Sequence, residues 1–553
     1  MAGSMTAAPQ KDATQLKSPG SAVAVVLTAA FLVLADTSIV NVAVPVLQSD
    51  LGASFAEAQW VVAVYQLTYA VLLITGGRLG DLYGRRRLFV TGLVGFVLTS
   101  AACGFATSPA MLITSRALQG VAGALMYPQT LAVIQVVLPP ERRPKAFAAL
   151  GMVASFATIA GPMISGVLIE LDLFGSSWRP AFLLNLPIGV IGVFAALRYL
   201  PESRSEHARK LDLPSVLIIS AALTCLCYPL IEGHEHDWPW WTFALMAASL
   251  PLFGLFALRC AAVHRRTQSA LVPPSLWRDR AFTVGLVMYL LAYSAIASFF
   301  LYQSLMLQLA YDYSALEVAA IASPFAIGSL IGYYASTAYA RRTSGRTAVV
   351  TGALIWSAGV ASVGATTLLA GNGLKGWYFI PAFLAAGIGL GVMLAPLMGV
   401  VLGSVRSSDA GSASGTLSTG QQVGAVMGVA LIGVVFFGTL SSSAHDSADE
   451  RAATVRTSIS ATVNGDQGER LVHSFKGCVI ARGSGDPAEA AKSADCRQVA
   501  GVKSRPVQRE LAEAARHDYR MAYGVSSFCF AAAAALVALG VVFLPRPPAP
   551  APK

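Results

Sequence analysis

Charge is what this chain has least of. Only 12% of its 553 residues are Asp, Glu, Lys or Arg, about half the share of an ordinary soluble protein, which excludes a solvated globular fold. The little charge present leans positive, to a formal +10, yet the basic residues are scattered between apolar stretches rather than gathered on one face, so no nucleic-acid partner is expected. Cysteine is sparse too. Of the seven, Cys103, Cys225, Cys227, Cys260 and Cys529 sit in or beside apolar runs, and Cys225 and Cys227 would point to different faces of a helix, so no metal site is expected. No apolar run sets a nucleophile beside a base, which argues against an enzyme, and no cofactor is expected.

What the chain does have is length in apolar runs. Hydrophobic residues make up 55%, and stretches near 20 residues, enough to cross a hydrocarbon core of about 30 Å, recur from residue 21 to residue 544. The reading is an all-α integral membrane protein with fourteen transmembrane helices and no cleavable leader. Basic residues crowd one set of loops, including Arg85 to Arg87, Arg142, Arg143, Arg265, Arg266, Arg341 and Arg342. The opposite short loops hold only Arg179 and Lys375. This asymmetry places the first set, and both termini, in the cytoplasm. Abundant alanine and an excess of arginine over lysine suggest a GC-rich bacterial genome, and hence the bacterial cytoplasmic membrane.

The stretch Gly77-Arg78-Leu79-Gly80-Asp81-Leu82-Tyr83-Gly84-Arg85-Arg86-Arg87 is a charged hinge between two runs. It resembles the loop between helices 2 and 3 of major facilitator superfamily transporters, with Leu82 in place of a basic residue. Gly84-Arg85-Arg86-Arg87 followed by Val90-Thr91-Gly92 is echoed by Gly345-Arg346 followed by Val350-Thr351-Gly352, which implies two similar six-helix halves, the parallel-repeat arrangement of a transporter. The expected organisation is a cytoplasmic tail at 1–20, an N-terminal six-helix bundle at 21–200 and two inserted helices at 201–265. The first five helices of the C-terminal bundle follow at 266–440, then an extracellular loop at 441–521, the last helix at 522–544 and a cytoplasmic tail at 545–553. The long outer segment is polar and reads as a mobile cap, with Gln508 to Tyr523 extending the last helix outward because Glu510, Glu513 and Arg516 leave an Ala-rich face. Cys478 and Cys496 are its only cysteines, and an oxidising exterior makes them a disulfide candidate.

Asp36 is the one carboxylate well inside a span, where a charge costs roughly 2.5 to 3.5 kcal/mol on insertion scales and so needs a reason. Its depth matches that of Arg116 in the fourth span, which makes the two natural partners. Ala35-Asp36-Thr37-Ser38, Arg116-Ala117-Leu118-Gln119-Gly120, Ala160-Gly161-Pro162 and Trp178-Arg179 with Phe182 and Asn185 together resemble the fourteen-helix drug:proton antiporters of the EmrB/QacA type. The resemblance implies two six-helix bundles plus two inserted helices, and proton-coupled export of small hydrophobic or amphipathic compounds such as drugs or antibiotics. It also implies proton coupling by Asp36 and Arg116, with Glu232 a further candidate, and gating by Gly77, Asp81, Gly84, Arg85, Arg86, Gly161 and Pro162. Ionised, Asp36 would need Arg116 or a cationic cargo at its side. Candidate cargo-binding residues are Asn41, Tyr65, Tyr69, Met126, Tyr293, Phe299, Gln303 and Gln421, aromatic, sulfur and amide side chains suited to a greasy, adaptable site. Expected partners are small-molecule cargo, protons and membrane lipids, around a monomer. Two alternatives stand beside this reading: a lipid or siderophore exporter of the same fold, and a transport-inactive membrane sensor or scaffold.

Overall fold

A backbone amide inside a hydrocarbon layer has no water to bond, so an apolar run must satisfy its own hydrogen bonds, which a helix does. The computed structural model describes residues 19–139, 142–172, 175–203, 212–233, 238–267, 270–403, 405, 410–459, 465–485, 487–502 and 504–544; among them the regular elements are helices and there is no strand. A first group comprises α1 (Pro19–Leu51), α2 (Phe55–Tyr83), α3 (Arg85–Gly104), α4 (Pro109–Val137), α5 (Arg143–Leu171), the short α6 (Arg179–Leu183) and α7 (Asn185–Tyr199). Next come α8 (Leu213–Glu232) and α9 (Trp240–Thr267), which pack on each other. The second group opens with the short α10 (Pro274–Arg278) and continues with α11 (Arg280–Leu305), α12 (Ala315–Arg342), α13 (Gly345–Leu369), α14 (Ile380–Gly403) and α15 (Ala410–Ile459). Then follow α16 (Gly465–Arg482), α17 (Pro487–Lys492), α18 (Ala494–Ala500) and α19 (Arg505–Phe543). Among the described residues eleven helices are long and apolar enough to cross a membrane, and α5 and α8 carry shorter apolar stretches, Ala160–Leu171 and Leu213–Pro229.

The two groups repeat each other in chemistry as well as in order. Ser54 and Glu57 form a capping box at the start of α2, each bonding the other's backbone amide, and the same device returns 260 residues later as Ser314 and Glu317 at the start of α12. Arg86 donates to the Leu197 carbonyl near the end of α7, while Arg346, also 260 residues on, donates to Leu544 and Val541 at the end of α19. A cation there satisfies carbonyls that a helix C-terminus leaves unpaired. Gly92 lets α3 lie against the Ala122 carbonyl and Met126 amide of α4, and Gly352 does the same for α13 against Gly389 and Met393 of α14. Packing follows suit: α1 on α5 and α11 on α15, α2 on α4 and α12 on α14, α3 on α7 and α13 on α19. The groups meet where α2 packs on α15 and α5 on α12.

The polar segment 441–521 differs from the mobile cap expected of it. The helix α15 runs unbroken for 50 residues, about 75 Å at 1.5 Å per residue, far beyond the core of a bilayer, and α19 is 39 residues long. Their projecting ends are held together by Arg451, which bonds Glu510 at 2.8 Å and Glu513 at 3.1 Å, and by the buried Asp518, which accepts from Ser443 and Ser447. Alanines and valines on this pair leave an apolar strip that α16 covers with Leu471, Phe475 and Val479. A disulfide joins Cys478 of α16 to Cys496 of α18. A helix whose exposed face is polar still folds when its other face has a partner, and that partner is not visible in local composition.

Candidate functional site

Asp36 lies on the face of α1 turned into the first bundle, fully buried, in an ion pair with Arg116 of α4, which is 1% exposed. Its second carboxylate oxygen accepts from Gln119 and from Asn185, each at 3.0 Å. Arg116 has partners of its own. It donates to the Val61 carbonyl at 3.1 Å and to Gln119 at 2.8 Å, and its guanidinium lies 4.1 Å from the centre of the Tyr65 ring. Asn185 also donates to Ser100 at 2.9 Å, which ties α3 and α7 into the network. Two glycines make this approach geometry accessible. A side chain at Gly120 would run into Thr68 and the Tyr65 carbonyl of α2, and one at Gly161 of α5 would meet Ser38 and the Ala35 carbonyl of α1. A buried charge pair is stable only when further hydrogen bonds satisfy its remaining donors and acceptors, and here both carboxylate oxygens and two of the three guanidinium nitrogens are bonded.

On the opposite face of α1, Thr37 and Ser38 open onto a cavity of about 350 Å³ between the two bundles, within the size range of small-molecule sites. The first bundle lines it with Leu34, Val42, Gln66, Ala154 and Pro162, among others, and the second with residues of α11, α12, α14 and α15. At the end of the cavity nearer the α16–α18 cap the bundles are in contact, since Gln308 donates to the Val42 carbonyl at 3.2 Å and Gly166 of α5 lies against the backbone of Leu316. Closer to the middle, Thr419 donates to the Ala70 carbonyl, joining α15 to α2.

The sequence model of the Major Facilitator Superfamily matches residues 26–429. The chain belongs to that superfamily. It is 35% identical over 505 residues to a probable actinorhodin transporter of Streptomyces coelicolor, covering 91% of this chain and 86% of the relative. A puromycin resistance protein of Streptomyces alboniger is 33% identical, with 78% and 84% covered. Among solved structures, a bacterial homolog to the human lysosomal transporter Spinster aligns with a TM-score of 0.58 at 15% identity, covering 97% of this chain and all of that one.

For a superfamily member the site residues expected from sequence divide cleanly. Tyr293, Gln303, Gln421 and Pro162 line the cavity, as does Gln422. Tyr65, Tyr69, Met126 and Phe299 do not: Tyr65 and Tyr69 stack inside the first bundle, Met126 packs beneath Gly92, and Phe299 is ringed by Phe325, Phe383, Tyr523 and Phe530 in the second. Their bulk fills helix contacts instead of facing the cavity. The side chains of Asn41, Asp81 and Glu232 lie outside the described residues.

Of the hinge, Gly77 sits beside Pro128 of α4, and Gly84 adopts a φ of 111° that favours glycine, with Glu202 where a side chain would go. Arg85 bonds the Ser203 carbonyl through its backbone amide, and Arg87 lies 3.7 Å from Glu202. These contacts tie the hinge to the end of its own bundle. Gln119 and Asn185 were not singled out from sequence as partners of Asp36; the available signal was the spacing of Gln119, three residues after Arg116 and so on the same helix face.

Proposed function

We propose that this superfamily member is a proton-coupled exporter of small hydrophobic or amphipathic compounds, working by alternating access in the bacterial cytoplasmic membrane. The relatives named for actinorhodin and puromycin support antibiotic-like cargo. Fourteen membrane helices follow if α2, α5 and α8 are added to the eleven, with two bundles at 21–200 and at 266–440 plus 522–544, two inserted helices at 201–265, both tails cytoplasmic and the cap outside. The protein works as a monomer, since the cavity is completed within one chain.

The observation that carries the reading is the sealed Asp36–Arg116 pair backing directly onto the cavity through Thr37 and Ser38. A proton arriving at Asp36 neutralises the carboxylate and releases the electrostatic hold of α4 on α1, while Gln119 and Asn185 keep their hydrogen bonds to it. Two arrangements of α1 then differ in energy by the state of one proton, and α1 forms part of the cavity wall, so protonation and cargo affinity become linked. The outer pH is lower, so protonation belongs to the outward-facing state and cargo leaves there. Gly84, Arg85, Arg86 and Gly161 serve the movement by fixing helix ends and close approaches, and Asp81 is the gating acid of the same hinge.

The test is transport by purified protein in liposomes under an imposed pH gradient, comparing the native chain with Asp36→Asn and with Asp36→Asn/Arg116→Gln, the second variant leaving no unpaired buried charge. Neither variant should concentrate cargo. Concentration by either one overturns the coupling role of Asp36.

A further inference from the structure

Among the described residues that line the cavity there is no Asp, Glu, Lys, Arg or His. Asp36 and Arg116, on α1 and α4, are paired with each other behind the wall and are buried. An ion entering a low-dielectric space needs a countercharge or a full set of oriented dipoles, and this wall supplies no countercharge of either sign.

The wall is nevertheless chemically specific. The second bundle presents the rings of Tyr293, Phe300, Phe325 and Tyr333, with Phe300 edge-on to Phe325 at 4.9 Å. The same wall carries the amides of Gln303 and Gln66. Gln303 is 1% exposed and neither its Nε2 nor its Oε1 has a hydrogen-bond partner among the described residues; the Oε1 of Gln66 is in the same condition. A buried amide without partners is unfavourable and calls for an explanation. Its donor and acceptor lie side by side, so a molecule carrying a carbonyl next to a hydroxyl satisfies both at once.

We propose, building on the exporter reading, that the cargo is uncharged while it occupies the cavity: a flat aromatic compound with adjacent carbonyl and hydroxyl groups, its rings against Tyr293 and Phe300 and its oxygens on the Gln303 amide. A site built to hydrogen-bond its ligand discriminates strongly against analogues that lack those groups. Lipophilic cations are therefore poor cargo for this chain.

The test measures binding to the purified full-length protein, and uptake into liposomes, of two neutral probes and two cations. The neutral probes are 1,8-dihydroxyanthraquinone and 1-hydroxyanthraquinone; the cations are ethidium and tetraphenylphosphonium. The neutral pair should bind at least about tenfold more tightly than the cations, and Gln303→Leu should weaken dihydroxyanthraquinone binding by about tenfold, the loss expected when a buried hydrogen-bonding group goes. Gln303→Glu should raise ethidium binding, because it supplies the missing countercharge. Cations bound as tightly as the neutral probes, or a Gln303→Leu variant with unchanged affinity for dihydroxyanthraquinone, overturn the proposal. Concentration of cations by the native protein does so while leaving the exporter reading intact. Binding of the neutral probes without transport under any gradient has the reverse meaning, sustaining the site and removing the exporter. A monodisperse protein that binds neither class counts against the cavity assignment itself.

Discussion

Removing one member of the Asp36–Arg116 pair should harm the protein more than removing both. In Asp36→Asn the guanidinium of Arg116 stays buried, with only Gln119, the Val61 carbonyl and the Tyr65 ring for company. In Arg116→Gln the carboxylate keeps two neutral donors, Gln119 and Asn185. Breaking a buried pair from one side costs about 3 to 5 kcal/mol, whereas replacing both members with neutral groups of similar size is often close to neutral. For a bundle the size of residues 21–200, each kcal/mol moves the thermal midpoint by about 2 to 4 °C. Each single variant should therefore unfold roughly 10 °C lower than the native chain, and Asp36→Asn/Arg116→Gln should recover most of that loss. The assay is the unfolding midpoint of the four proteins in one detergent at one pH, read as a double-mutant cycle. If the two single losses simply add in the double variant, the pair is not an isolated buried couple and the coupling scheme built on it fails.

Arg86→Ala and Arg346→Ala should each cost about 1 to 2 kcal/mol by uncapping α7 and α19, and the losses should add because the sites lie in different bundles; a double variant no worse than either single one contradicts this. Replacing Cys478 and Cys496 by serine opens a link between residues 18 apart and should remove about 3 kcal/mol from the cap alone. Limited proteolysis of 465–502 should then quicken while export continues, and unchanged proteolysis contradicts the assignment. Gly120→Ala sets a methyl against Thr68 and the Tyr65 carbonyl; pushing α4 off α2 should cost about 1 to 3 kcal/mol and lower export by stretching the bond from Arg116 to Val61. Export at the native rate would show that this bond is not needed.

Much of the fold was legible because the signal was one of length and of charge placement. Apolar runs marked the helices, and Gly84-Arg85-Arg86-Arg87 with its echo marked the repeat, although the structural equivalence pairs Arg86 with Arg346 and extends to the caps Ser54 and Ser314. Of the cap, only the outward extension of the last helix over 508–523 was legible, from the Ala-rich face that Glu510, Glu513 and Arg516 leave. Its helices gain stability from an apolar strip on α15 and α19 that exists only once those two lie side by side, and the residues forming it, such as Ala448 and Leu511, are unremarkable in a local reading of the chain.

The site was legible in depth but not in direction. Counting residues from the ends of two spans gives the level of Asp36 and of Arg116, and equal levels were enough to pair them. Successive residues of a helix, however, turn by about 100°, and in a membrane a helix can be apolar all round, so composition does not say which face meets a neighbour and which meets a cavity. That is why Tyr65, Tyr69, Met126 and Phe299 read as cargo residues although they pack inside the bundles. The same blindness left open whether Arg116 or a cationic cargo would stand beside an ionised Asp36. Residue 36 faces α4 and α7 while residues 37 and 38 face the cavity, so a cargo at the proposed site would touch the helix that carries the carboxylate and not the carboxylate. On the proposed scheme, competition for one site is replaced by linkage through α1, in which a cargo would need no charge to sense whether Asp36 holds a proton.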